Sequence, residues 1–164
     1  MEKGYIQLYT GNGKGKTTAA LGLTLRAICA GKKVYIGQFM KGMDYSELKA
    51  IDYLPNLTMR QFGSDKFIYK PAKQEDVNLA KEGLNEIEKV LISGDYDVVV
   101  LDELNITVFF ELLTVDEIIE VLNKRHPKVE VVITGRNAPQ ALIDIADLVT
   151  EMKEVKHYYN EGVL

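Results

Sequence analysis

The apolar segment Tyr5-Ile6-Gln7-Leu8-Tyr9 runs into Gly11-Asn12-Gly13-Lys14-Gly15-Lys16-Thr17-Thr18, and a helical pattern then extends from about Lys16 to Ala30, closed by Gly31. No other feature of the chain restricts its fold so strongly. A glycine-rich turn between a strand and a helix lets the backbone curl so that successive N–H groups face one anion. The first N–H groups of the helix have no partner within it, and the helix dipole adds roughly half a positive charge there. Lys16 brings a compact cation for terminal phosphates, and Thr17 a hydroxyl suited to Mg²⁺. Gly11 through Thr18 are therefore read as a cradle for a nucleotide triphosphate. The usual pattern G-x-x-x-x-G-K-[ST] is departed from at one place, where Thr10 replaces the first glycine.

Such a site needs an acid at the end of a buried strand. Val98-Val99-Val100-Leu101 is a continuous run of the kind found in strands covered on both faces, and Asp102-Glu103 follow it. Either carboxylate can hold Mg²⁺ directly or through water. Their side chains point to opposite sides if the chain stays extended, so the pair alone leaves the ligand undecided. Further strands are read at Val34–Phe39, Leu57–Phe62, Val129–Thr134 and Leu148–Thr150. Helices are read at Ser46–Leu54, at Gln74–Ser93 with Ala80, Leu84, Ile87 and Leu91 on one face, after the capping box Thr114–Glu117, and from Asn137-Pro139-Gln140. Gly63 to Lys73 is read as a loop. Strand and helix alternate, which predicts an α/β fold with a mainly parallel sheet flanked by helices. All 164 residues are expected to form one nucleotide-binding domain of the P-loop type.

Composition removes several functions. The formal net charge is −4, so no basic surface suggests nucleic acid. No apolar run approaches a bilayer span, and the residues before the glycine loop do not read as a signal peptide, so a cytoplasmic location is expected. The single cysteine, Cys29, lies in an apolar stretch and is expected to be buried and inert. No disulfide within the chain is available, and a zinc site is not expected.

A P-loop serves many chemistries. The extra lysine of partitioning ATPases would stand at Gly11, whereas the extra lysine here is Lys14. A zinc lobe of the thymidine-kinase kind needs more cysteines, and Gly63 to Lys73 lacks the arginines of a nucleotide-kinase lid. A small kinase or ATPase, or an ATP-dependent switch without turnover, remains open on these grounds.

Taken together, the motifs point further. Thr10–Ala20, Gln38-Phe39-Met40-Lys41-Gly42, Val100-Leu101-Asp102-Glu103-Leu104-Asn105, Thr134-Gly135-Arg136, Ala146–Glu151 and Val155-Lys156-His157 follow one another in this order along the chain. In this set and order the chain resembles the ATP:corrinoid adenosyltransferases of the P-loop, RecA-like class. That resemblance implies transfer of the 5′-deoxyadenosyl group of ATP to the cobalt(I) of a reduced corrinoid, with triphosphate leaving. It implies catalytic roles for Lys16 and Lys41, nucleotide contacts by Gly11 to Thr18 and Arg136, and Mg²⁺ on Thr17 with Asp102 or Glu103. Where the family often carries Phe-x-Trp, this chain has Phe67-Ile68-Tyr69, so Phe67 and Tyr69 are candidates for the corrinoid wall. The electron that makes cobalt(I) is expected from an external reductant, such as a flavoprotein. A corrinoid face this wide is expected to be closed by a second subunit, as a homodimer. Tyr158 and Tyr159 are read as packing or subunit-contact residues.

Overall fold

The computed structural model describes residues 2–66 and 68–163. The strands are β1 Ile6–Thr10, β2 Val34–Phe39, β3 Leu57–Phe62, β4 Val98–Asp102, β5 Glu130–Thr134 and β6 Leu148–Glu151. They form one sheet in the order β3-β2-β4-β5-β1-β6, and every pairing is parallel. The helices are α1 Lys16–Cys29, α2 Gln74–Ser93, α3 Leu104–Phe109, α4 Val115–Asn123 and α5 Gln140–Ile145. Short 3-10 helices lie at Ser46–Asp52 and Tyr158–Glu161.

The alternation of side chains along the central strands explains how the layers assemble. Val98 and Val100 of β4 face α1 together with Ala20, Val34, Ile36 and Val132. Val99 and Leu101 face the other way, into a larger core closed by Ala80, Leu84, Ile87 and Leu91 of α2, Leu104 of α3, Ile118 and Leu122 of α4, and Leu142 of α5. Each such aliphatic side chain contributes about 1.5–3 kcal/mol by leaving water. α2 can lie close to the sheet because two positions lack a side chain. A Cβ on Gly83 would stand 2.5 Å from Phe62 Cγ, and one on Gly37 would stand 2.9 Å from Ile87 Cδ1.

Three expectations change. Cys29 is exposed, because it lies in the last turn of α1 and off the stripe that carries the buried Ala20 and Thr24. α5 begins after Pro139, and Asn137 precedes it in a left-handed conformation, φ 55°. α3 was not anticipated. It follows Glu103, whose φ of 59° turns the chain sharply out of β4.

Because all strands run the same way, the segments after β1, β2, β4 and β5 gather on one rim of the sheet. The glycine loop, Met40–Gly42, Glu103 and Gly135-Arg136 all lie there. Among the described residues no helix is long and apolar enough to cross a membrane.

Candidate active site

The glycine loop is shaped from below by the segment leaving β6. Gly13 N–H donates to the Met152 carbonyl at 2.7 Å. A Cβ on Gly11 or Gly13 would fall 2.4 or 2.6 Å from that same oxygen. Gly11 and Gly15 also hold φ of 96° and 119°, where a side chain is strained. The Gly13 N–H is thus paired within the protein. It anchors the loop to the segment that leaves β6.

Lys16, at the start of α1, is buried to 7% exposure, and its Nζ donates to the carbonyls of Gly11 and Gly13 at 2.7 Å each. The ammonium is thus held across the mouth of the loop. Burial lowers its pKa, the nearby Arg136 guanidinium lowers it further, and Glu103 offsets part of this.

Asp102 is the hub of the site. Its side chain is buried, and four others converge on it. Thr17 Oγ1 donates to Oδ1 at 2.8 Å and Thr134 Oγ1 donates to Oδ1 at 2.7 Å. Lys41 Nζ lies 2.7 Å from Oδ2, and Gln38 Nε2 donates to Oδ2 at 3.3 Å. Lys41 also lies 3.6 Å from Glu47 Oε1. Burial works against the Lys41 charge, but the Asp102 carboxylate outweighs it, with help from Glu103 and Glu47, and the pKa rises. Lys41, for which the resemblance implies a catalytic role, contacts Asp102 and Glu47 here. It is the counter-ion of Asp102.

Glu103 does not point away from Asp102 as an extended chain would require. Its left-handed backbone, fixed by N–H donation to Thr134 Oγ1 at 3.0 Å, brings its side chain to the cleft over the glycine loop. Burial and the adjacent Asp102 charge raise its carboxyl pKa, against the pull of Lys41, Lys16 and Arg136. The cleft, about 360 Å³, is lined by Gly13 to Thr18, Glu103, Arg136, His157, Tyr158, Tyr159 and Val163. Tyr158 and Tyr159, read from the sequence as packing or subunit-contact residues, lie along this cleft. Lys14 extends to the hydroxyl of Tyr158, while Asn12 is exposed and outside the cleft lining.

The donor set suits Mg²⁺. A threonine hydroxyl in direct contact with a buried carboxylate is a pair of hard oxygen donors, and Mg²⁺ keeps most of its ligands as water.

Tyr69 lies away from this cleft, is 75% exposed, and lines a second cleft of about 390 Å³ with Ser64, Asp65 and Lys66. Phe67 lies outside the described residues.

A family model described as ATP:corrinoid adenosyltransferase BtuR/CobO/CobP matches residues 2–164. The chain belongs to this family. The corrinoid adenosyltransferase of Escherichia coli K12 is 36% identical over 164 residues, which is 99% of this chain and 83% of that protein. The corrinoid adenosyltransferase CobA of Salmonella typhimurium LT2 is 37% identical, again over 99% of this chain and 83% of the relative. That of Pseudomonas aeruginosa is 34% identical over 99% of this chain and 81% of its own length. Around this cleft, the sequence reading gave no role to Gln38, Glu47, Thr134 or Met152. A signal existed for two of them. Gln38 and Thr134 are polar residues near the ends of otherwise apolar strands, where a buried polar group needs a partner.

Proposed function

We propose that this chain transfers the 5′-deoxyadenosyl group of ATP to the cobalt(I) of a reduced corrinoid, releasing triphosphate. Family membership over nearly the whole chain supports the reaction. The observation that carries the site is the buried cation Lys16 at the mouth of the glycine loop, beside the Thr17–Asp102 pair.

Cobalt(I) of the substrate donates its electron pair to the ribose C5′, and the C5′–O5′ bond breaks with its electrons going to the triphosphate. No proton has to be removed, so the site needs no general base. What it needs is charge stabilisation on the leaving group and alignment of cobalt, carbon and oxygen. Lys16 and the N–H groups at the start of α1 bind the phosphates, with Gly11 to Thr18 as their cradle. Arg136, on the rim of the cleft, adds a second cation. Lys41 acts through Asp102, whose orientation it fixes. Thr17 and Asp102, with Glu103 beside them, would hold Mg²⁺, whose contribution when bound is to neutralise phosphate oxygens.

Tyr69 and Phe67 are assigned to the corrinoid side. The clefts around this loop, about 390 and 200 Å³, are too small to enclose a corrin macrocycle. This supports closure of the site by a second copy of the chain. The electron for cobalt(I) comes from a separate reductant.

Incubation with ATP, Mg²⁺ and chemically reduced cobalamin tests the reading. Adenosylated corrinoid and triphosphate in equal amounts are expected. ADP with inorganic phosphate, and unchanged corrinoid, would overturn it. Light scattering tests the assembly: a monomer with full activity at the same concentration would remove the second subunit.

A further inference from the structure

The cleft over the glycine loop has a wall that the reaction just described does not use. It is the 3-10 turn Tyr158–Glu161, with His157 in front of it. None of the four residues of that turn is buried, so it adds little to the core. The turn is nevertheless positioned. Tyr158 receives a hydrogen bond from Lys14 at its hydroxyl, and its ring centroid lies 4.9 Å from Lys14 Nζ. His157 Nδ1 accepts the N–H of Tyr159 at 3.0 Å, and its ring stands nearly perpendicular to that of Tyr159, at 86° with centroids 6.3 Å apart. Tyr158 is thus tied to the loop, and Tyr159 is held beside it with 62% of its surface exposed.

A largely exposed aromatic ring on the wall of a cleft suits a flat, apolar-faced ligand group. The cleft has the size of a small-molecule site. Its floor takes phosphates, and the group joined to those phosphates in a nucleotide is a nucleoside with a flat base. The other lining residues outside the loop and this turn include Glu103 and Arg136, which are charged and offer no such face.

We propose that Tyr159, braced by His157, is the stacking surface for the purine of the bound nucleotide, and that the Lys14–Tyr158 contact fixes its distance from the phosphate loop. This rests on the reading of that loop as a triphosphate site. A stack reads the face of a base and not its edge, so it distinguishes adenine from other purines poorly.

Calorimetric titration of the full chain with ATP and, separately, with inorganic tripolyphosphate tests the assignment. Tyr159→Ala is expected to weaken ATP binding about 10-fold, within the range of single base–aromatic stacks, and to leave tripolyphosphate unchanged. Tyr159→Phe is expected to keep both. Unaltered ATP affinity in Tyr159→Ala would overturn the proposal. A parallel loss of both ligands would also overturn it, by showing that the turn merely props the loop. Wild-type protein that binds neither ligand would remove the phosphate-loop reading and this one with it. Wild-type binding of tripolyphosphate as tight as ATP would leave the loop reading standing and remove the stack alone.

Discussion

Asp102 and Lys16 differ in what holds them, and substitutions should separate their roles. Among the described residues Lys16 bonds only to loop carbonyls, so Lys16→Ala should leave the fold intact. It should lower kcat/KM for ATP by about 100-fold, as loss of one preorganised charge-stabilising donor does. Lys41 neutralises Asp102, so Lys41→Met should free that carboxylate for a divalent cation. Mn²⁺ binding without nucleotide, followed by electron paramagnetic resonance, should strengthen by about 10-fold. Unchanged Mn²⁺ affinity would show that Asp102 is not a metal ligand. Lys16, Thr17 and the acidic pair were legible in the sequence because their chemistry follows from spacing along the chain. The Lys41–Asp102 ion pair was not, because it joins the ends of two strands that neighbour each other only once the sheet order is known.

The elements themselves were read more completely than the site. β2, β3 and α2 have the bounds that their periodicity predicts, and the four apolar residues chosen for the inner face of α2 are all buried. α3 escaped because a single left-handed residue, Glu103, starts it, and nothing in local propensity marks that turn. The capping box of α4 was legible, and the structure shows both of its hydrogen bonds. Thr114→Ala should therefore cost about 1 kcal/mol in chemical denaturation. The Thr114 N–H foremost holds the Glu117 carboxyl below its usual range; burial opposes it, and the Thr114 hydroxyl and Lys81 add to the lowering. A carboxyl with a depressed folded-state pKa stabilises the protein above its unfolded pKa, and that stability is lost as pH falls through the folded value. The Tm gap between wild type and Glu117→Ala should accordingly be full at neutral pH and narrow below the ordinary carboxylate range. At the sheet–helix contact, Gly83→Val should destabilise by about 1–3 kcal/mol through overpacking against Phe62.

At the scale of the molecule, the all-parallel sheet follows from alternating strands and helices, and only its order had to be seen. That order sets the rim where loops from distant parts of the sequence meet. It also explains why Tyr158 and Tyr159 could not be placed beforehand. They reach the cleft because β6 lies next to β1, a neighbour relation that no local pattern encodes. The same relation governs how the protein comes into being. β1 emerges first from the ribosome, yet both its sheet partners, β5 and β6, are among the last strands synthesised. During synthesis the glycine loop therefore has neither a sheet to stand on nor the Met152 carbonyl to set its curl. Nucleotide affinity would thus be acquired only once β5, β6 and Met152 have been synthesised and have joined β1.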